Sequence, residues 1–188
     1  MEFDVKKEME TLREEQVSTR TVFDGTVLHV VRDEISLPNG KPAHREVIRH
    51  IGAVCVIPVT ENNEVIVERQ YRYPLDRGIT EIPAGKLDSR EEDRFSAIQR
   101  ELLEETGYTA EEWTVLGDFH PAPAYSDEYI TMYMARKLHP GKRHLDEDEF
   151  LDVFRVPLAE LVEDVMAGKI SDAKTQTAVL KAARILGI

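Results

Sequence analysis

Residues 84–108 read AGKLDSREEDRFSAIQRELLEETGY, which predicts a loop followed by one amphipathic helix. Three apolar residues recur at spacings of three and four and form one face of that helix: Phe95, Ile98 and Leu102. Ser89, with Glu92 three residues later, is a capping-box signal for the helix start. Gly107 is typical of the residue that follows a helix, so we expect the helix to end there.

Three carboxylates, Glu101, Glu104 and Glu105, crowd the C-terminal end of this helix. Like charges at these spacings destabilise an isolated helix by about 0.2–0.5 kcal/mol per pair, and the helix dipole also disfavours anions at that end. A bound divalent cation would reverse this cost, because carboxylate oxygens are the ligands that Mg²⁺ and Mn²⁺ prefer. The alternative interpretation is a solvated acidic face on a surface helix.

The residues around these carboxylates resemble the signature of the Nudix hydrolase family. Eight positions fill that signature in order: Gly85, Arg100, Glu101, Leu102, Glu104, Glu105, Gly107 and Tyr108. The segment between Gly85 and Arg100 is one residue longer than the family pattern. Counting forward from the glycine therefore selects Glu91 as the first glutamate of the signature, whereas counting back from the arginine selects Glu92, which we prefer. Loops tolerate insertions, so we place the extra residue within 88–92.

The resemblance implies an α+β fold, an α/β/α sandwich with a mixed sheet, and hydrolysis of a nucleoside diphosphate linked to another group. On the matched positions, Glu101 and Glu105 would be the main ligands of Mg²⁺, or alternatively of Mn²⁺. Glu104 would add a ligand directly or through water, and the backbone carbonyl of Ala84 would add another. Arg100 would take a catalytic part by orienting the glutamates through charge-assisted hydrogen bonds. As a plain surface ion pair it would contribute little.

Stretches beyond the helix resemble the ADP-ribose pyrophosphatase branch of the family. They are His44-Arg45-Glu46-Val47, Gln70-Tyr71-Arg72 ahead of Glu81-Ile82-Pro83-Ala84-Gly85, and Pro123. The branch implies that Arg72 binds substrate phosphate through its planar guanidinium. It also implies that Arg45 and Glu46 approach the adenine or ribose, in the same subunit or from a partner. The alternative for all three is an ordinary solvent-facing charge.

An acidic segment at 146–150, DEDEF, resembles the late loop that carries a catalytic glutamate in that branch. Glu149 is our first candidate for the general base or an extra metal ligand, and Glu147 is the second. The alternative is a solvated acidic loop.

Two turn signals divide the first part of the chain into short strands. Asp24-Gly25 and Asn39-Gly40 favour tight turns, because glycine and asparagine accept positive φ values. We therefore predict a small antiparallel unit over residues 1–48 and a hydrolase domain over 49–188. The branch implies a homodimer in which the first unit serves dimerisation and covers the substrate. Residues 72–80 are expected to form a loop.

The formal net charge of -12, from 36 acidic and 24 basic residues, argues against binding of a nucleic-acid backbone. The sequence contains no apolar run long enough to span a membrane and no apolar N-terminal signal, which predicts a cytoplasmic protein. Cys55, the only cysteine, lies in an apolar run and is expected to be a buried small hydrophobe.

These expectations combine into one hypothesis: a metal-dependent pyrophosphatase that cleaves ADP-ribose or a similar sugar nucleotide into AMP and a sugar phosphate. Activity on GDP-sugars or dinucleotides is an alternative within the same enzyme class. A non-hydrolysing nucleotide sensor on the same fold is an alternative from another class. The intact glutamates argue against the sensor, since binding alone does not require them.

Overall fold

The computed structural model describes residues 5–145 and 150–188, which fall into two compact units. One unit comprises the chain up to His50 together with Ala122–Glu128, and the other comprises Ile51–Pro121 and Tyr129–Ile188. The first boundary lies two residues beyond the predicted position, and the segment 122–128 joins the first unit although it is distant in sequence. No helix in the described part of the chain is long and apolar enough to cross a membrane.

The N-terminal unit is a helix followed by an antiparallel three-stranded sheet in the order β1-β2-β3. Its elements are α1 (Val5–Leu12), β1 (Glu15–Asp24), β2 (His29–Ser36) and β3 (Pro42–Arg49). Both predicted turns are confirmed, and Gly40 has the positive φ of 77° that its turn requires. The inserted segment 122–128 pairs with the end of β3, where the Ile48 amide donates to the Tyr125 carbonyl at 2.8 Å.

The second unit contains two sheets. The mixed sheet has the order β7-β4-β9-β8, with β4 and β9 parallel; its strands are β4 (Ala53–Pro58), β7 (Ala84–Lys86), β8 (Tyr108–Phe119) and β9 (Ile130–Pro140). The antiparallel sheet has the order β10-β5-β6; its strands are β5 (Glu64–Arg72), β6 (Arg77–Glu81) and β10 (Leu151–Pro157).

Successive side chains of β4 face opposite sides of the mixed sheet and enter two different cores. Val54 and Val56 pack in one core with residues of the helix α2 (Arg94–Glu101). Cys55 and Ile57 pack in the other core with α3 (Leu158–Met166) and α4 (Ala173–Leu186). Helices therefore cover both faces of a mixed sheet, which confirms the predicted α+β architecture. Cys55 is fully buried, and burial raises the pKa of its thiol to about 12.

Two local predictions were wrong. The predicted loop at 72–80 contains a 3-10 turn at Tyr73–Leu75 and then β6, because the backbone of 77–81 completes a ladder with β5. The helix α2 begins after Asp93 rather than at the predicted Ser89 cap. Asp93 caps the helix instead, since its Oδ2 accepts the Ser96 amide at 2.7 Å.

Candidate active site

The regular α-helical geometry is interrupted within residues 94–106, the glutamate-rich helix. The helix α2 continues directly into a π-helix at Leu102–Thr106, and Gly107 ends it with a φ of 75°. π-Helical turns are rare and occur frequently at functional sites. Here the turn contains Glu105, whose side chain is buried although it is acidic.

Glu101 and Glu105 converge on the backbone of Ala84 and Gly85. Oε2 of Glu105 accepts the Ala84 amide at 3.0 Å. The Glu101 carboxylate lies against Gly85, so closely that an added Cβ on that glycine would be 2.0 Å from the carboxyl carbon. Strand β7 carries both backbone residues and pairs with the central strand β4, which fixes their position. The carboxylates of Glu101 and Glu105 thus both lie at the Ala84–Gly85 backbone of the second unit.

Arg100 connects the glutamates of this segment. Its guanidinium donates to Glu101 at 2.9 Å, to Glu104 at 3.2 Å and to Glu92 at 3.2 Å. Burial opposes the charge of Arg100, but the neighbouring carboxylates outweigh it and raise the pKa of the guanidinium. The contact with Glu92, and the exposure of Glu91, favour Glu92 as the first glutamate of the signature.

The donor atoms of this site suit a hard divalent cation, but they are not arranged as a ready cluster. Among residues 5–145 and 150–188, no group of three or more His, Cys, Asp or Glu side chains is placed to hold a metal ion. Arg100 is paired with both Glu101 and Glu104, whereas Glu105 accepts the Ala84 amide and Glu101 also lies against Gly85. Glu101 and Glu105 are thus the carboxylates nearest the Ala84–Gly85 backbone, and Arg100 holds Glu101 and Glu104 through one oxygen of each.

Arg72, at the end of β5, forms a two-point ion pair with Glu81, at the end of β6. Nε donates to Oε1 at 2.7 Å and Nη2 donates to Oε2 at 2.9 Å. Glu81 is only 4% exposed; burial disfavours its charge, but Arg72 and Lys174 outweigh that effect and lower the pKa of the carboxyl. The hydrogen bond to Glu81 raises the pKa of Arg72. The Arg72 side chain stays 43% exposed, so it can also be reached by a ligand.

Sequence reasoning missed the residues at the start of α4 that hold Glu81 from its other side. Lys174 donates to Oε2 of Glu81 and lies 3.1 Å from Asp172. Thr175 Oγ1 accepts the Ile82 amide at 2.9 Å and donates to Asp172 at 2.6 Å. The one available signal was a lysine on the buried face of an amphipathic helix, two residues after an aspartate cap.

The two candidate bases, Glu147 and Glu149, lie outside the described residues. Residues on either side of them form backbone contacts with the glutamate-rich helix and with β5. The His144 amide donates to the Glu104 carbonyl at 3.0 Å, and Leu151 begins β10 opposite Gln70 of β5.

Arg45 and Glu46 lie on β3 in the N-terminal unit, and both are exposed. The Arg45 guanidinium donates to Glu14 through Nε at 2.9 Å and also through Nη2. Glu46 lies opposite Arg32 in the β2-β3 ladder. Their contact with a substrate stays a prediction.

Comparisons of the sequence and the fold with known proteins find the same family of relatives. The sequence profile of the NUDIX domain matches residues 48–176. The chain is 41% identical to the ADP-ribose pyrophosphatase of Bacillus subtilis (strain 168), over 91% of this chain and 93% of the relative. It is 42% identical to the methanol dehydrogenase activator of Bacillus methanolicus, over 88% and 90% of the two chains. The fold is similar to a crystal structure of an ADP compounds hydrolase, with a TM-score of 0.83, 25% identity and coverage of 93% and 95%.

Proposed function

The chain belongs to the Nudix family of hydrolases, and we propose that its substrate is ADP-ribose or a similar sugar nucleotide. Water would break the phosphorus–oxygen–phosphorus bridge of the diphosphate, leaving AMP and a sugar phosphate. The observation that carries this proposal is the convergence of Glu101 and Glu105 on the Ala84–Gly85 backbone. The names of the relatives support an ADP-linked substrate, since two of them act on ADP-ribose or ADP compounds.

Divalent metal ions are general in this family, and we propose Mg²⁺ here, with Mn²⁺ as the alternative. Glu101, Glu105 and the carbonyl of Ala84 would hold the ion, and Glu104 would add a ligand directly or through water. When bound, the metal neutralises charge on the diphosphate oxygens and lowers the barrier to attack by water. The support is chemical: all of these donors are oxygens, as both cations prefer.

The protein's own side chains have separate tasks in the proposed reaction. Arg72 binds phosphate oxygens with the exposed part of its guanidinium, while Glu81 keeps that group oriented. Arg100 takes its catalytic part indirectly, since its hydrogen bonds hold Glu101 and Glu104 in place. Glu149, or alternatively Glu147, accepts the proton of the attacking water. The attachment of the flanking His144 to the glutamate-rich helix supports that assignment.

The surface of the N-terminal unit supports the proposed homodimer. Every residue of β1 is exposed, although this long edge strand carries Val17, Val22 and Phe23. Long exposed edge strands with apolar side chains are usually covered by another chain. We propose that the unit predicted at 1–48 supplies the dimer contact, and that Arg45 and Glu46 approach the adenine or ribose of a bound nucleotide. A cytoplasmic location, predicted from the sequence, also belongs to this proposal.

One experiment tests the substrate. The protein is incubated with Mg²⁺ and separately with ADP-ribose, a GDP-sugar and a dinucleotide, and release of AMP or GMP is followed. We expect turnover of ADP-ribose to exceed that of the others, and Glu105→Gln to abolish it. Binding of ADP-ribose by calorimetry without any turnover would instead support the nucleotide sensor.

A second candidate function is activation of a dehydrogenase, favoured by the 42% identity to the methanol dehydrogenase activator. Adding the protein to a methanol dehydrogenase and measuring its rate tests this candidate. Glu105→Gln separates activation that depends on hydrolysis from activation by contact alone.

A further inference from the structure

Four charged side chains in the second unit form a row of alternating sign: Asp172, Lys174, Glu81 and Arg72. The two inner members are buried, Lys174 with 9% and Glu81 with 4% of their surface exposed. Removing one member of a buried charged row leaves its neighbour without compensation. Each inner charge therefore depends on the partners at both of its sides.

Lys174 and Arg72 share one oxygen atom of Glu81. Oε2 accepts Nη2 of Arg72 at 2.9 Å and also accepts the ammonium of Lys174. The two cations thus compete for the same negative charge. Because Lys174 also interacts with the negative charge of Glu81, the ion pair between Arg72 and Glu81 is weaker than it would be alone. Glu81 still holds the guanidinium of Arg72 in a fixed direction.

The same helical turn also holds the backbone next to Glu81. Thr175 Oγ1 accepts the Ile82 amide at 2.9 Å, so α4 contacts both the side chain of one residue and the backbone of the next. Ile82 precedes Ala84 by two residues. The start of α4 is therefore connected to Arg72 and to the segment that receives Glu101 and Glu105.

We propose that Lys174 is a positioning residue for substrate binding: through Glu81, it keeps Arg72 oriented and available to the diphosphate. The inference rests on the proposed function, in which Arg72 binds phosphate. Without Lys174, Glu81 pairs with Arg72 alone, so the guanidinium is drawn more strongly to Glu81 and is less available to the diphosphate.

Lys174→Met in the full chain tests the inference, with kinetics of ADP-ribose hydrolysis at saturating Mg²⁺. We expect KM to rise roughly tenfold, as for the weakening of one charge-assisted hydrogen bond, and kcat to change less than about threefold. Lys181→Met is the matched control, because Lys181 lies on the same helix but donates to the Leu116 carbonyl. It should leave KM unchanged.

The decisive comparison repeats the substitution in an Arg72→Ala background. If Lys174 acts through Arg72, Lys174→Met should change KM by less than about twofold there, because effects on one interaction are not additive. An equal change in both backgrounds, or no change in the wild-type background, would overturn the inference. If Lys174→Met does not fold, Lys174→Gln is measured in both backgrounds with the same expectations.

The outcomes also separate this inference from the proposed function. If ADP-ribose is hydrolysed and the effects of the two substitutions on KM multiply, the proposed function is retained and the inference about Lys174 is overturned. If turnover is absent, ADP-ribose binding is measured by calorimetry for the same four proteins. If Lys174→Met weakens ADP-ribose binding only when Arg72 is present, the inference is retained although the proposed function has failed.

Discussion

Glu101 and Gly85 lie in direct contact: a Cβ added to the glycine would be 2.0 Å from the carboxyl carbon of Glu101 and 2.1 Å from its Oε1. No side chain fits at this position without displacing the carboxylate. The φ of Gly85 is not positive, so backbone conformation does not require a glycine here. The glycine is explained instead by the close approach of the Glu101 carboxylate to the Gly85 backbone.

Gly85→Ala should reduce activity far more than stability. The methyl group displaces the end of a flexible side chain, so the fold can adapt, but Glu101 would leave the position proposed for it as a metal ligand. We expect kcat/KM to fall by roughly 100-fold, comparable to loss of an outer-shell partner of a metal ligand. Gly78→Ala is the control, since its Cβ would have no neighbour closer than 3.7 Å. Equal activity of the two variants would contradict the assignment of Glu101.

Arg100→Lys should weaken metal binding. The guanidinium serves Glu92, Glu101 and Glu104 together, and a lysine cannot reproduce that planar set of donors. We expect the Mg²⁺ concentration for half-maximal activity to rise by about 10- to 100-fold. Arg184→Lys, at an exposed position of α4, is the control. An unchanged Mg²⁺ requirement would show that Arg100 does not position the ligands.

The glutamate-rich helix was predictable from sequence because its information is local. Ile98 and Leu102 are fully buried as the periodicity predicts, whereas Phe95, the first residue of the predicted apolar face, is 40% exposed. The π-helical turn was not predicted, and the hydrogen bond from the Ala84 amide to Glu105 within it joins residues 21 positions apart. Ser89 and Asp93 are both suitable N-cap residues, and in the structure Asp93 starts the helix.

The ion pairs around Glu81 could not be found by pattern. Its contact with Arg72 depends on the ladder between β5 and β6, a region that sequence reasoning assigned to a loop. Its contact with Lys174 joins residues 93 positions apart, so only the packing of α4 on the sheets brings them together. The spacing of residues along one helix or strand predicts contacts within one or two turns of that element, so it does not predict pairs between distant elements.

Glu81→Gln should show a pH-dependent loss of stability. The folded pKa of Glu81 is lowered, so its contribution is present above the unfolded value of about 4.3 and is lost as the pH falls through the folded value. At pH 7 the variant should lose about 3 kcal/mol of unfolding free energy, because two cations lose their buried partner. Urea unfolding at pH 7 and at successively lower pH measures the difference, which should shrink in acid.

The exposed Glu61→Gln serves as the control and should stay within about 0.5 kcal/mol of the wild type. A destabilisation of Glu81→Gln that is the same at every pH would mean that the lost charge is not the cause.

Phe23→Asp should dissociate the proposed dimer. Phe23 is 55% exposed on the edge strand β1, and a carboxylate at an apolar contact between two chains would be buried without a partner. Light scattering during size-exclusion chromatography should give the monomer mass for this variant and the dimer mass for the wild type. Val115→Asp, at an exposed apolar position of β8, should remain dimeric. A monomeric wild type would exclude the proposed assembly.

Carboxylates on the glutamate-rich helix are proposed to hold a divalent cation for cleavage of a diphosphate. AMP release from ADP-ribose by the wild-type protein, measured with Mg²⁺ and again after chelation with EDTA, tests this proposal most directly. We expect AMP release that stops on chelation and resumes when Mg²⁺ is restored in excess. Undiminished release in EDTA, or no release from ADP-ribose at any Mg²⁺ concentration, would contradict it.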